Sequence, residues 1–485
     1  MDYNIEFISS YDLNQIFRTF FALEKTLYPI TIKIIMKKII TKPFDRDKIP
    51  PRQAWWGMPV VWIWSLIATF GTHLKIHKEN TKGLKPPFIL LGSHHAFNDF
   101  CVTPLAIFPH RANYVSELEG FKNYGEWPYR QVGCLGTRKF VNDIALVRNI
   151  KNVLNRGDIL VMYPEARYAN VGTSSELPVS VGKLVKLMGV PLVTLNMHGN
   201  YLQQPIWNHK IRKGVRLEAQ MKVLFTSEEL KTASVDEINN ALKEALSYDE
   251  YKWQLEQKMK IDVPFRAEGL HMPLYKCRSC QKEGTMQSKG SEIFCTSCGA
   301  SWNMNEYGQL ESKNSSSESC EKIHIPDWYE WERKTVEDEI KNGNYKLDCL
   351  VHVESLPNAK NFINCGTGHL IHNADGFYLT FKDYGKSEGE TLFFASETLI
   401  SLHTEYAYRE KYGMCITLAT LDNTYYLFPK QNEKVAAVLS AKHMNPPVED
   451  PNQFGDVEEK YSFFNPTKIQ FATEYFYKLK RKLLK

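Results

Sequence analysis

The chain has 485 residues, which is too long for one ordinary domain and predicts two or three. Hydrophobic residues make up 43% of it and charged residues 24%, proportions that exclude a disordered chain and predict a large buried core. The net charge is only +5, but the basic residues concentrate towards the two ends.

The two basic clusters suit an anionic membrane surface or a nucleic acid, with solvated faces that bind nothing as the alternative. The last eight residues, KLKRKLLK, contain five basic residues. The N-terminal cluster consists of Lys25, Lys33, Lys37, Lys38, Lys42, Arg46 and Lys48.

Residues 54–71, AWWGMPVVWIWSLIATFG, are uncharged and contain four tryptophans. Eighteen residues barely reach spanning length, and tryptophan prefers the headgroup zone of a bilayer. The segment predicts a helix lying in or dipping into one leaflet, with a buried core helix as the alternative. We therefore interpret residues 1–85 as a membrane-associating region. The first fifteen residues lack the pattern of a cleaved signal peptide, and the scattered cysteines outside the metal pattern below favour a reducing cytoplasm.

Short apolar runs alternate with helical stretches between residues 86 and 265. The runs 88–91, 158–163 and 190–197 predict strands, while 142–157 and 177–189 have helical spacing and end at glycines. Strands that alternate with helices predict an α/β sheet covered on both faces. Active residues in such sheets usually follow the carboxyl ends of the strands.

The stretch GSHHAFND follows the first of these strands and contains His94 and Asp99. Positions i and i+5 lie about 140° apart on a regular helix, so the two side chains meet only if His94 sits in the loop and Asp99 in the first helical turn. His95 and Asp99 form the competing i, i+4 pair. The residues alone leave a proton-handling pair, a metal ligand set and a structural strand end open.

Together with three downstream stretches, this one resembles the motifs of the glycerolipid acyltransferases, the family of lysophosphatidic acid and glycerol-3-phosphate acyltransferases. HHAFND fits the first motif, and the similarity covers roughly residues 50–215. The third stretch departs from the family pattern, because Ala166 stands where the family has glycine and Arg167 comes one residue early. The other matching positions are Gly133 and Arg138 in GCLGTRKF, Glu165 and Arg167 in YPEARY, and Pro191 in GVPLVTL.

The resemblance implies roles for these residues. His94 would be the general base that deprotonates an acceptor hydroxyl, and Asp99 would orient its ring. Arg138, together with Lys139, would clamp the acceptor phosphate, unless Arg138 forms an ordinary salt bridge. Glu165 and Arg167 would hold the acceptor head group or brace the phosphate site, unless they form a structural ion pair. Gly133 and Pro191 would belong to the substrate-binding motifs.

Two Cys-x-x-Cys pairs, Cys277 with Cys280 and Cys295 with Cys298, are separated by fourteen residues. This spacing predicts a zinc ribbon over 270–310 in which four thiolates hold one structural Zn²⁺. The stretch between the pairs has balanced charge and no interleaved aromatics, so we expect no nucleic acid as a partner.

Residues 325–485 read as short strands with turns near 375–376 and 422–423, followed by a predicted helix over 432–444. This pattern is similar to the pleckstrin-homology-like architecture. The predicted fold class is thus an α/β acyltransferase domain (86–265), a small zinc ribbon, and a mostly β C-terminal domain with a terminal helix.

The predicted function is O-acyl transfer from acyl-CoA or acyl-carrier protein to a glycerol-phosphate-type (lysophospholipid) acceptor in phospholipid synthesis. We expect a peripheral or monotopic protein on the cytoplasmic, anionic leaflet of a membrane. The alternative is a catalytically inactive acyltransferase-like scaffold that binds membranes.

Overall fold

The computed structural model describes residues 42–313, 322–382, 389–408, 413–429 and 463–484. The chain separates into two compact units, Met1–Lys42 and Pro43–Lys485, and the description below concerns the second. Most of the N-terminal basic cluster and the predicted helix over 432–444 lie outside the described residues.

The first sheet has seven strands in the order β1-β7-β6-β2-β5-β3-β4, and its neighbouring strands are parallel except for β6 and β7. This is the mixed α/β sheet that the alternating pattern predicts. The strands are β1 Lys75–Glu79, β2 Ile89–Gly92, β3 Ala112–Glu117, β4 Cys134–Thr137, β5 Ile159–Met162, β6 Leu192–His198 and β7 Glu218–Phe225.

Ten helices accompany this sheet within the described part of residues 42–313. The predicted helix over 142–157 is confirmed as α5, where the carboxylate of Asp143 caps the first turn by accepting from the backbone of Ala145 and Leu146. Gly189 ends α6 in a left-handed conformation. The helices are α1 Met58–Ala68, α2 Asp99–Ala106, α3 Leu118–Tyr124, α4 Glu126–Gln131, α5 Ile144–Asn155, α6 Ser180–Met188, α7 Asn200–Gln203, α8 Ser227–Thr232, α9 Val235–Ala245 and α10 Glu250–Glu256.

Strand β2 is buried on both faces, which explains its unbroken apolar sequence. Ile89 and Leu91 pack in the cluster that includes residues of α5, α6 and α9, whereas Leu90 packs on the opposite face with residues of α2. The two layers fix the carboxyl end of β2, from which the GSHHAFND loop leads into α2.

Helix α1 is not a buried core helix. Val60, Ile63 and Ile67 are about three-fifths exposed (61, 58 and 62%), and Trp55 before the helix is 75% exposed. Among the residues that the structure describes, no helix is long and apolar enough to cross a membrane. The exposed apolar face of α1 stays compatible with the predicted interfacial helix.

The cysteine pairs lie in and beside a second, antiparallel sheet in the order β12-β11-β10-β9-β8. It packs on the long helix α11, Ile325–Lys341, where the rings of Trp302 and Trp328 meet edge to face at 4.8 Å. The strands are β8 Met286–Lys289, β9 Glu292–Cys295, β10 Ser301–Met304, β11 Gln309–Ser312 and β12 Lys322–His324.

A third sheet of seven antiparallel strands, in the order β16-β15-β14-β13-β19-β18-β17, follows α11. The predicted hairpins are confirmed as β14–β15 and β18–β19, and a terminal helix, α12 Pro466–Lys480, packs against the sheet through β17 and β18. We call these strands, the described loops between them and α12 the C-terminal β-region. Its strands are β13 Leu347–Ser355, β14 Ile363–Asn373, β15 Gly376–Phe381, β16 Glu390–Ala395, β17 His403–Tyr408, β18 Gly413–Ala419 and β19 Thr424–Pro429.

Candidate active site

His94 and Asp99 meet at the carboxyl end of β2. His94 lies in the loop and Asp99 is the first residue of α2, which is the arrangement that their spacing requires. The Nδ1 atom of His94 lies 3.1 Å from Oδ2 of Asp99. The same oxygen accepts hydrogen bonds from the backbone N–H groups of His95 (2.6 Å) and Ala96 (3.0 Å). These bonds stabilise the ionised carboxylate in a fully buried position.

The second carboxylate oxygen of Asp99 accepts a hydrogen bond of 2.6 Å from Nδ2 of Asn200. Asn200 begins α7 directly after β6, the strand that neighbours β2 in the sheet, and it is fully buried. The carboxylate of Asp99 thus has partners on both sides, in the loop that leads into α2 and at the start of α7. The carboxylate is fixed in the orientation that points it at the imidazole.

The ring of His94 lies against two tyrosine rings, Tyr163 and Tyr168, each at a centroid distance of 4.5 Å. Its side chain is 18% exposed, and its Nε2 atom makes no hydrogen bond among the described residues. With Nδ1 held by a carboxylate, Nε2 is the nitrogen that can exchange a proton with a bound hydroxyl. The arrangement can therefore perform general-base chemistry at one accessible nitrogen.

Glu165 braces the same loop from the end of β5. Its Oε1 accepts from the backbone N–H of His94 (3.1 Å), its Oε2 accepts from the backbone N–H of Ser175 (2.8 Å), and the hydroxyl of Tyr248 donates to both oxygens. The next residue, Ala166, has a φ of +56°, a left-handed conformation that glycine adopts at lower cost. The alanine therefore takes the backbone conformation that favours the glycine of the family motif.

His95 faces away from Asp99, and the i, i+4 side-chain pair does not form. Its ring is fully buried, lies 2.9 Å from the hydroxyl of Ser93 through Nε2, and stacks on Tyr248 at 3.8 Å. His95 is accordingly a buried neighbour, whereas the side chain of His94 is partly exposed.

Arg138 lies in a position that does not support the predicted phosphate clamp. Its guanidinium is buried and donates to backbone carbonyls of Leu356 (2.9 Å) and Pro357 (2.9 Å), and to the carbonyls of Leu421 and Asp422 on the other side. A further bond of 2.8 Å goes to the hydroxyl of Thr424. The five hydrogen bonds of the guanidinium all go to the C-terminal β-region, so these N–H donors are not available to a phosphate.

Arg167 also faces the C-terminal β-region. Its guanidinium lies 3.6 Å from the carboxylate of Glu474 on α12, and Glu474 also pairs with Arg333 of α11. Burial alone would raise the pKa of Glu474, but Arg333 and Arg167 outweigh it and hold this pKa at about 2. Arg167 thus forms the structural ion pair that was the alternative for this residue, although with a carboxylate other than Glu165.

The amino group of Lys139 lies between side chains of β3 and β17. Its Nζ lies 2.7 Å from a carboxylate oxygen of Glu117 at the end of β3 and about as close, 3.0 and 3.1 Å, to the ring nitrogens of His403 on β17. An acceptor-binding role for Lys139 stays a prediction.

Gly133 and Pro191 do not line the His94 cleft. Gly133 has a φ of +88°, and a Cβ there would lie 2.7 Å from the carbonyl oxygen of Ala112, so the position requires glycine for backbone packing. Pro191 precedes β6, and its carbonyl accepts from Ile89 at the amino end of β2, about 15 Å of strand away from His94. The substrate-binding roles that the resemblance implies for the two residues stay predictions.

The four cysteines form the cluster that the spacing predicts. Their Sγ atoms all lie within 4.8 Å of one another, with Cys277 and Cys298 at 3.8 Å and Cys280 and Cys295 at 3.7 Å. A tetrahedral zinc with bonds of about 2.3 Å to sulfur requires S···S separations of about 3.8 Å. The cluster could hold a metal ion, and its donor set fits Zn²⁺.

Two residues near the candidate site, Asn200 and His403, were not predicted from the sequence. Asn200 follows β6 in the stretch HGNY, so its position after a buried parallel strand was a usable signal. His403 carries no such signal, because it lies in an antiparallel strand more than two hundred residues beyond the motifs and contacts Lys139 only through tertiary packing.

No protein-family model matches the chain, and no curated protein matches it. Among solved structures, it is similar to the 1-acyl-sn-glycerophosphate (LPA) acyltransferase PlsC from Thermotoga maritima, with 15% identity over 51% of this chain and 95% of that chain. The TM-score is 0.35, and a similarity this weak carries no argument. The proposals below rest on the residues and their contacts.

Proposed function

We propose that this protein transfers an acyl group from a thioester, acyl-CoA or acyl-carrier protein, to a hydroxyl group of a glycerol-phosphate-type lipid. The observation that carries the proposal is the contact between His94 and Asp99, which leaves Nε2 of His94 accessible at the carboxyl edge of the sheet. The motif resemblance adds the reaction class.

The residues suit a direct transfer in one active site. The acceptor hydroxyl gives its proton to Nε2 of His94 while its oxygen attacks the thioester carbonyl. Collapse of the tetrahedral intermediate breaks the carbon–sulfur bond, and the imidazolium returns the proton to the departing thiolate. Asp99 stabilises the imidazolium between these steps, and Glu165 keeps the backbone of His94 in place.

We further propose that the reaction occurs at the cytoplasmic, anionic leaflet of a membrane. The apolar face of α1 supports this proposal, because α1 packs on α2, the helix that starts at Asp99. Trp64 of α1 contacts Phe97 and Phe100 beside the candidate base at centroid distances of 6.2 and 6.0 Å. A bilayer that receives this face would bring lipid acceptors next to His94.

The cysteine cluster supports a structural Zn²⁺ site. Four thiolates complete a tetrahedron and leave no coordination position for a substrate. We accordingly propose that the zinc ribbon stabilises the fold, and that neither the metal nor a nucleic acid takes part in the reaction.

One observation favours the alternative of an inactive membrane-binding scaffold. The two arginines that the resemblance assigns to the acceptor, Arg138 and Arg167, both contact the C-terminal β-region. A chain that had lost its acceptor site could conserve the fold and the membrane surface without turnover.

The test is acyl transfer from labelled acyl-CoA to a panel of lysolipids in vesicles, with the wild type, His94→Ala and Asp99→Asn. General-base catalysis is worth about 10²- to 10⁴-fold in rate, so both substitutions should lower kcat by that order. His77→Ala is the matched control, because His77 is exposed and pairs with Glu218 on the surface. If His94→Ala turns over as fast as the wild type, the proposed mechanism is wrong. If the wild type transfers acyl groups to no acceptor, the result favours the inactive membrane-binding scaffold.

The membrane proposal has its own measurement. The pair Ile63→Asp and Ile67→Asp places two charges on the exposed face of α1 and should abolish flotation with anionic vesicles. Leu187→Asp is the control, because Leu187 is an equally exposed (69%) apolar residue on α6. Unchanged flotation of the α1 variant would show that another surface binds the membrane.

A further inference from the structure

Glu250, the first residue of α10, is a fully buried carboxylate that no step of the proposed reaction uses. Its Oε2 accepts a hydrogen bond of 2.6 Å from the backbone N–H of Gly199, and its Oε1 lies 2.8 Å from Nδ1 of His198. Burial alone would lower the pKa of His198, but the hydrogen bond and the charge of Glu250 outweigh it, so this pKa is raised. The two side chains therefore form a buried pair at the end of β6.

The two residues that follow β6, Gly199 and Asn200, link Glu250 to Asp99. Gly199 has a φ of +91°, and a Cβ on it would lie 2.1 Å from a neighbouring backbone carbonyl oxygen, so the turn is packed tightly. Asn200 comes next, and its Nδ2 donates the hydrogen bond to Oδ1 of Asp99. Glu250 thus holds the residue beside the one that holds Asp99.

Glu250 also lies beside the other segment that holds Asp99. Its Oε1 is 3.6 Å from Nδ1 of His95, whose backbone N–H donates to Oδ2 of Asp99. The ring of His95 stacks on Tyr248, and the hydroxyl of Tyr248 donates to Glu165, the brace of the candidate base. The stretch that contains Tyr248 and Glu250 therefore contacts the groups that support both members of the candidate pair.

A carboxylate orients an imidazole only as well as it is itself held, and small displacements of a catalytic group are costly in rate. We propose that His198 and Glu250 are positioning residues of the candidate active site. Through the turn at Gly199 they fix Asn200, and through Asn200 they keep Asp99 aimed at the base. This inference rests on the proposed function, and its tests separate the two.

The first measurement is acyl transfer by Glu250→Gln, alone and combined with Asn200→Ala. Glutamine fills the same space, but only its oxygen accepts, so either Gly199 or His198 loses its acceptor. One lost hydrogen bond corresponds to about tenfold in rate, so kcat should fall about tenfold at an unchanged KM. In the Asn200→Ala background the same substitution should change kcat less than about twofold, because the link to Asp99 is already broken.

Glu256→Gln is the matched control, because Glu256 ends the same helix and its side chain is 59% exposed. It should leave kcat unchanged. A merely structural Glu250 would give Glu250→Gln a lower stability towards urea and a normal kcat per folded molecule, which overturns the inference. An equal loss of kcat in both backgrounds also overturns it, because the charge of Glu250 would then act through space and not through Asn200.

The second measurement leaves the buried carboxylate in place, so it remains available if Glu250→Gln does not fold. The side chain of His198 is 23% exposed, and its substitution disturbs the core less. His198→Ala removes the donor to Oε1 and should lower kcat about threefold. His198→Asn should restore the rate, because its amide nitrogen can replace Nδ1 as the donor. A loss in both variants, or in neither, overturns the inference.

The third measurement needs no turnover. A charge-assisted hydrogen bond to a carboxylate moves the NMR signal of an imidazole Nδ1–H proton strongly downfield. His94→Ala assigns this signal, and Asp99→Asn gives its position without the carboxylate. In Glu250→Gln the signal should move upfield towards the Asp99→Asn position, and an unchanged signal overturns the inference. If the wild type transfers acyl groups to no acceptor, the proposed function is wrong, and this signal still decides the inference.

Discussion

Substitutions of Arg138 distinguish between its two conceivable roles, which are binding the acceptor phosphate and anchoring the C-terminal β-region. The structure gives the guanidinium five hydrogen bonds to that region, four of them to backbone carbonyls. Burial lowers the pKa of Arg138 to about 10, so the group stays charged at neutral pH. Arg138→Ala would therefore remove a buried cation and leave several carbonyl oxygens without donors.

The magnitude follows from these contacts. A hydrogen bond from a charged donor contributes about 1.5–3 kcal/mol, and breaking a buried charged network costs about 3–5 kcal/mol because the individual bonds are not additive. We expect Arg138→Ala to lower the free energy of unfolding by about 3–5 kcal/mol. Arg138→Lys should cost about half as much, because it retains the charge with fewer donors in a different geometry.

Urea unfolding supplies the free energies, and hydrogen exchange at residues 356–357 and 421–424 shows whether the loss is local. Arg148→Ala is the matched control, because Arg148 is 53% exposed, pairs with Asp47 and should cost less than about 1 kcal/mol. The anchoring role is refuted if Arg138→Ala is as stable as the control and only raises the KM of the acceptor.

Two further predictions concern the parts that hold the C-terminal β-region in place. Metal analysis of the reduced protein should find one zinc per chain. Cys298→Ser or a chelator should remove the zinc and make the ribbon sensitive to proteases. A chain that retains its stability after chelation would contradict a structural zinc. The pKa of Glu474 is depressed from 4.5 to about 2, so its contribution to stability is present above pH 4.5 and is lost as the pH falls towards 2. Urea unfolding at pH 7, 5 and 3 should show a smaller loss for Glu474→Gln than for the wild type, and parallel curves would rule out this linkage.

Local patterns predicted most of the α/β part. The strand at 88–91, the cap at Asp143 and the stop at Gly189 follow from short stretches whose physical causes are contained in the stretch itself. The cysteine cluster is similarly local, because the spacing of the two pairs already fixes a tetrahedral donor set. The contact between His94 and Asp99 needed only the assumption that a helix starts at Asp99.

The hydrogen-bond acceptors of Arg138 could not be predicted from local sequence patterns. Two of its acceptors are backbone carbonyls 218 and 219 residues further along the chain. Since every residue has such a carbonyl, the sequence does not identify which ones act as acceptors. The same limit applies to Lys139 and His403, which are 264 residues apart. Motif reasoning assigned Arg138 to a ligand because the sequence does not show that the C-terminal β-region supplies acceptors for its donors.

The predicted zinc ribbon is connected to the motif residues through charged side chains. Lys276 of the ribbon lies 3.5 Å from Glu283 and 3.2 Å from Glu339 of α11. Lys468 of α12 lies 2.8 Å from each of the same two carboxylates, and all four side chains are less than one-quarter exposed. Because these charges are largely shielded from water, breaking one pair leaves its partners poorly compensated.

Helix α12 links these charged side chains to the candidate site. Lys468 fixes its first turn to the ribbon, and Glu474, less than two turns later, pairs with Arg167 of the third motif stretch. Arg167 in turn donates to the carbonyl of Tyr168, whose ring packs on His94. Side-chain contacts therefore run from the sheet that carries the cysteines to the ring that packs on His94.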